Sequence, residues 1–166
     1  KTINPLDIST SLSHYLGASG AWHRKLFSKY GPIRSELVYD DHILGFRAAL
    51  EKKVHFINEP LLYYREGVGI SHSKNKNLSK SSNKLNRIKI LKQAIAVYTE
   101  RKEDAFKFGL KYNDPIIKKL ELALVKNISR LSYYQDKGII IKSFLENPKI
   151  TTNAILSELL RDLWRR

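Results

Sequence analysis

The chain contains no cysteine and no methionine in its 166 residues. Without cysteine there is no disulfide scaffold, no thiolate metal site and no cysteine nucleophile, which fits a reducing compartment. No apolar run approaches the ~20 residues that a membrane-spanning helix requires. The N-terminus shows no secretory pattern. With no methionine even at position 1, the chain reads as a piece of something longer. Acid is scarce: 16 Asp and Glu stand against 30 Lys and Arg, for a net charge of +14. Residues 67–99 hold no acid at all, but do hold Lys74, Lys76, Lys80, Lys84, Arg87, Lys89 and Lys92. Such a stripe attracts phosphates of a nucleic acid, an anionic membrane or a nucleotide, or else forms a solvated helix face.

What is present points to one domain with a true core, since hydrophobic residues make up 42% of the chain. Residues 1–13 read as loop. Two glycines in "HYLGASGAWHRKLF" flank a short extended piece, and a short helix is expected over 22–30, closed by Gly31-Pro32. Asp40 suits the N-cap of the next helix, in which Ile43, Phe46 and Leu50 share a buried face and Lys52 and Lys53 occupy the last turn. "VHFINEPLLYYRE" is rich in β-branched and aromatic residues and is split by Pro60, so it reads as two short strands ending at Gly67-Val68-Gly69. Residues 71–83 are polar loop.

Beyond them the chain turns helical. Leu85, Ile88, Leu91, Ile95 and Tyr98 mark one face of a long helix running to Gly109. Ile117, Leu120, Leu124, Ile128 and Leu131 mark another. A short apolar piece lies between Gly138 and Pro148, and the segment from Asn153 onward is an amphipathic helix with a basic end. This pattern leads to an α/β fold class: a mostly helical fragment whose few strands pair with residues outside it. Residues 1–73 form one part and residues 74–166 a basic helical extension.

Asp40 and Asp41 stand side by side in a chain short of acid. On residue chemistry alone they either cap a helix or face a substrate. Their surroundings, "GASGAWHRKLFSKYGPI", "YDDHILGFRAAL" and "VHFINEPLLYYREGVGISHS", resemble the C-terminal part of the catalytic domain of family 2 glycosyltransferases, the inverting GT-A class. The resemblance covers residues 16–73 and rests on the order and spacing of five elements. It implies the second half of a GT-A fold, without the N-terminal nucleotide-binding half. It also implies that Asp41, the second acid, is the general base, with Asp40 in the place usually held by Glu.

An inverting transfer is a single displacement, in which a base takes the proton of the attacking acceptor hydroxyl. The leaving diphosphate needs positive charge, and Arg65 offers a planar donor fork. Gly17, Ser19, Trp22 and Ser71 are the further substrate-binding candidates, with Trp22 placed to stack on a sugar. His72 is the candidate metal ligand, although its place in a polar loop, offset from the family's position at Gly67, reads as surface.

The resemblance implies a nucleotide-sugar donor, a glycan or lipid-linked acceptor and a divalent metal, Mg or Mn, in the full-length enzyme. It also implies a cytoplasmic location, peripheral at the inner membrane face. The family holds its metal through a D-x-D motif, and no D-x-D occurs in this sequence. The donor side, metal included, is therefore expected upstream, and the chain alone is expected to be inactive. The competing class is a basic helical module binding nucleic acid or an anionic membrane. No helix-turn-helix or RNA-binding signature supports a specific nucleic acid. The apolar face of Leu156, Leu159, Leu160, Leu163 and Trp164 either packs on neighbouring helices or meets a membrane.

Overall fold

In a computed structural model, residues 3–12, 17–63, 80–135 and 137–164 are described. They form helices α1 (Pro5–Ile8), α2 (Lys25–Tyr30), α3 (Asp40–Leu50), α4 (Lys80–Phe108), α5 (Pro115–Gln135), α6 (Lys137–Glu146) and α7 (Pro148–Trp164), with a 3-10 turn at Gly17–Ser19. Among the described residues there is no strand. This corrects the expected α/β class and the half of a GT-A fold, which needs a sheet. Residues 54–63 are irregular and largely exposed; the remaining three residues of that expected strand pair lie outside the described segments. The physical reason is locality. A helix satisfies its backbone within four residues, whereas a strand needs a partner from elsewhere in the chain.

The long helices follow their local signals. Asp114 opens α5, its carboxylate accepting the Ile116 N–H at 2.8 Å, and Pro115 fits the first helical position. Gly109 ends α4 at φ 109° and Gly31 ends α2 at φ 85°, where a side chain would be strained. The expected helix over 22–30 begins only at Lys25, and Lys52 and Lys53 fall beyond α3 rather than in its last turn. The expected opening loop contains the one-turn helix α1, capped by the Asn4 side chain.

α4 is the spine. α2 and α3 pack on it at one end, α5 folds back along it, and α6 and α7 lie against α5. The core joins Ile43, Phe46 and Leu50 of α3 to Ala94, Val97 and Tyr98 of α4 and to Ile117 and Leu120 of α5. The face expected on α4 is shifted: Leu91 and Tyr98 are buried, but Leu85 is 67% exposed.

Two charged clusters lie inside. Arg47 is fully buried and donates to Asp104, Glu100 and the carbonyl of Gly31. Glu158 of α7 is also buried, and accepts from Arg87 of α4 (Nε to Oε2, 3.0 Å) and from Tyr134 of α5 (2.8 Å). Arg87 therefore leaves the basic stripe expected at 74–92 and serves an internal contact. Lys84, Lys89 and Lys92 stay exposed.

Candidate functional site

Asp40 and Asp41 open α3. The N-cap position belongs to Tyr39, which makes no side-chain cap, so Asp40 is the first helical residue rather than the cap. The aspartates supply the missing acceptors from inside the turn. Asp40 Oδ1 accepts the Asp41 N–H at 3.0 Å, and Asp41 Oδ1 accepts the His42 N–H at 2.8 Å. A negative charge here also suits the positive end of the helix dipole.

Asp41 does more than close its own turn. Its Oδ2 accepts the Gly17 N–H at 3.0 Å and so ties the Gly17–Ser19 turn to α3. A Cβ built on Gly17 would lie 3.4 Å from Asp41 Cβ, so the close approach suits glycine. The carboxylate is held by two backbone donors and its side chain is only 16% exposed. A carboxylate has about four lone-pair sites, so capacity remains for a substrate hydroxyl.

His42 is buried beside it, with Nδ1 3.9 Å from Asp41 Oδ1 and no hydrogen-bond partner for that nitrogen among the described residues. Burial lowers the imidazole's affinity for a proton, against the opposing pull of Asp41. Arg101, which the sequence reading missed, sets the ground plan from behind. Its guanidinium donates to the carbonyls of Ile8, Ser9, Ser11 and His42, at distances from 2.7 to 3.1 Å. It thereby locks the N-terminal segment to the first turn of α3. Periodicity gave no signal for it, because an arginine on a helix reads as surface.

The 17–22 segment leads from Asp41 to a cavity of about 870 Å³. Ser19, Gly20 and Trp22 form one wall, α2 contributes Lys25, Leu26 and Lys29, and Val54, His55 and Phe56 form the far side. Ala48 of α3, about 10 Å along the helix axis from Asp41 at 1.5 Å per residue, and Glu51 just past the end of that helix line it too. Asp41 itself is not in the lining. The Trp22 ring lies across Gly20, whose hypothetical Cβ would meet it at 2.7 Å. Lysines and histidines outnumber the one carboxylate of the wall, Glu51, which is engaged by Lys29 and Tyr30.

The structure thus brings Gly17 to Asp41, places Ser19 and Trp22 in the cavity wall, and leaves Asp40 exposed on the first turn. Arg65, Ser71 and His72 lie outside the described residues. Among the described residues no three His, Asp or Glu side chains converge as metal ligands. No described helix is long and apolar enough to cross a membrane. No family model matches the chain, and comparison with curated proteins and with solved structures gives no match.

Proposed function

We propose that this chain carries the acceptor side of an inverting glycosyltransferase, with Asp41 as the general base. The observation that carries the reading is the Asp41 carboxylate, fixed by the Gly17 N–H at the start of a segment that runs into a large cavity. The reading concerns this site and the residue pattern around it, and not a sheet-based architecture.

In the proposed step the acceptor hydroxyl oxygen attacks the anomeric carbon of a nucleotide sugar. The bond from that carbon to the diphosphate oxygen breaks, and the hydroxyl proton passes to Asp41. The nucleoside diphosphate leaves with its charge balanced by cations, Arg65 among them. Trp22 offers an apolar face to a sugar ring, and Ser19 a hydroxyl. The sequence has no D-x-D, so the donor nucleotide and the divalent metal that accompanies it fall to the upstream part of the full-length enzyme. The reading places the enzyme in the cytoplasm, peripheral at the inner membrane face, acting on a glycan or lipid-linked acceptor.

The competing reading, a basic module for nucleic acid, loses support from Arg87, which is spent on Glu158. The test is nucleoside diphosphate release by the full-length polypeptide with a panel of uridine and guanosine diphosphate sugars. Asp41→Asn should abolish release that depends on acceptor while donor binding persists. Undiminished turnover in both Asp41→Asn and Asp40→Asn overturns the proposal and leaves the pair as helix caps.

A further inference from the structure

The last two helices are turned inside out. On α7 the buried residues are Thr151, Ala154 and Glu158, small or polar. At about 100° per residue, Leu156, Leu160 and Leu163 fall on the opposite arc. They are exposed, and Trp164 is 89% exposed. α6 repeats the pattern. Ser143 faces inward, while Ile141 and Leu145 lie opposite it and are 63% and 77% exposed. An amphipathic helix ordinarily turns its apolar side to the core. Here the inward side of α7 is instead built on an ion pair, Glu158 with Arg87, and on hydroxyl contacts such as that from Thr151 to the Ser143 carbonyl.

Charge follows the same division. The acids of α7 do not sit on its leucine arc: Glu158 is buried under arginines, and Asp162 accepts from Tyr133 and Tyr134. Lys149 does lie on that arc, exposed, and Lys142 is exposed on α6. The one carboxylate of α6, Glu146, stands at its last position. Leucines and a terminal tryptophan with the exposed Lys142 and Lys149 beside them, on a chain of net charge +14, match a surface that is apolar below and anionic above. A second copy matches less well, because the pairing would set lysines against lysines and +14 against +14.

We propose that the outer face of α6 and α7 is a docking surface for an anionic lipid bilayer, lying flat in the headgroup region. The inference deepens the membrane-face location given above but rests on different residues from Asp41, so either can fail alone. The experiment is co-sedimentation of the chain with phosphatidylcholine vesicles with and without phosphatidylglycerol. A Trp22→Phe background leaves Trp164 as the only reporter. Binding should need phosphatidylglycerol, weaken with salt and shift Trp164 emission to the blue. The double variant Leu156→Glu, Leu160→Glu should lower partitioning at least about tenfold with helix content unchanged, since both side chains are exposed. A second variant, Lys142→Glu with Lys149→Glu, should lower it too, and Asp41→Asn should not. Absence of binding at low salt, or equal binding by the leucine variant, overturns the proposal. A dimer in sedimentation velocity that the leucine variant abolishes, without vesicle binding, assigns the face to a second copy and overturns it as well.

Discussion

The Arg47 guanidinium grips the Asp104 carboxylate with two hydrogen bonds, Nε to Oδ2 at 2.7 Å and Nη2 to Oδ1 at 3.2 Å, with both side chains fully buried. The pair joins α3 to α4 and, through the Gly31 carbonyl, to the end of α2. Arg47 belongs to the "FRA" run that contributes to the glycosyltransferase resemblance, and in this fold its work is structural. Breaking a buried pair from one side leaves an uncompensated charge, at a cost of about 3–5 kcal/mol. Arg47→Ala should therefore lose stability of that order in denaturant unfolding. The double variant Arg47→Met, Asp104→Leu should lose clearly less. Equal losses would mean that packing, and not the stranded charge, sets the cost.

Arg101 holds four backbone carbonyls, three of them in the N-terminal segment. Lysine has one compact ammonium and cannot reproduce that fan of donors. Arg101→Lys should free the segment around α1, seen as faster proteolysis there and faster amide exchange at residues 8–11, while α5 keeps its protection. Unchanged exchange in that segment would show that the packing of Ile8 and the hydrogen bonds from Tyr98 to the Thr10 carbonyl and from Lys119 to the Leu6 carbonyl hold it without Arg101.

Asp41 and Asp40 separate experimentally because, among the described residues, Asp41 reaches another segment and Asp40 does not. Asp41→Ala should release the Gly17–Ser19 turn and cost about 1 kcal/mol, the scale of a lost first-turn acceptor. Asp41→Asn should keep the fold nearly intact and remove the proposed base. Asp40→Asn should leave transfer close to wild type, because among the described residues its carboxylate serves the Asp41 N–H of its own turn. Steady-state kinetics on the full-length polypeptide, beside thermal unfolding, distinguishes the roles. Loss of transfer in Asp40→Asn alone would reassign the base.

Gly20 is where the Trp22 ring presses closest to the backbone, with a hypothetical Cβ 2.9 Å or less from two ring carbons. Gly20→Ala should push the ring out of place and reshape the cavity wall. The near-ultraviolet circular dichroism and Trp22 emission should change while far-ultraviolet helicity does not. Identical near-ultraviolet spectra would mean that the ring does not rest on Gly20.

Two carboxylates give the stability opposite dependences on pH. Burial pushes Asp104 from 3.8 up to about 6, against the pull of Arg47. A folded-state value above the unfolded one means that the native state binds the proton more tightly, so this contribution is full below 3.8 and is lost as pH rises toward 6. Glu158 runs the other way. Burial pushes its carboxyl up, but the hydrogen bonds from Arg87 and Tyr134 and the charge of Arg161 together bring it below the ordinary glutamate value. Its contribution is full above that ordinary value and is lost as pH falls through the lowered one. Denaturant unfolding across pH should show Asp104→Asn without the loss on the way up and Glu158→Gln without the loss on the way down. A decline that survives in Asp104→Asn would place its origin in another group.

The sequence by itself determined the elements whose signals are local. Asp114-Pro115 starts α5 and Gly109 stops α4, because capping geometry and positive φ act within one turn. The spacing of Ile43, Phe46 and Leu50 was likewise enough to mark the buried face of α3. The outcome of residues 54–63 was beyond it: β-branched residues make a strand only where another strand accepts their hydrogen bonds, and pairing is not written in composition. Only the tertiary structure decided that Arg47, Arg101 and Glu158 face inward, since a charged residue is buried when partners from distant segments arrive to meet it. It also decided that Asp41 reaches across to Gly17, 24 residues away in the chain, and that the leucines of α7 face outward once Glu158 has claimed the inner side. Each of these is a contest between faces or partners, and its result depends on what the rest of the chain brings into reach.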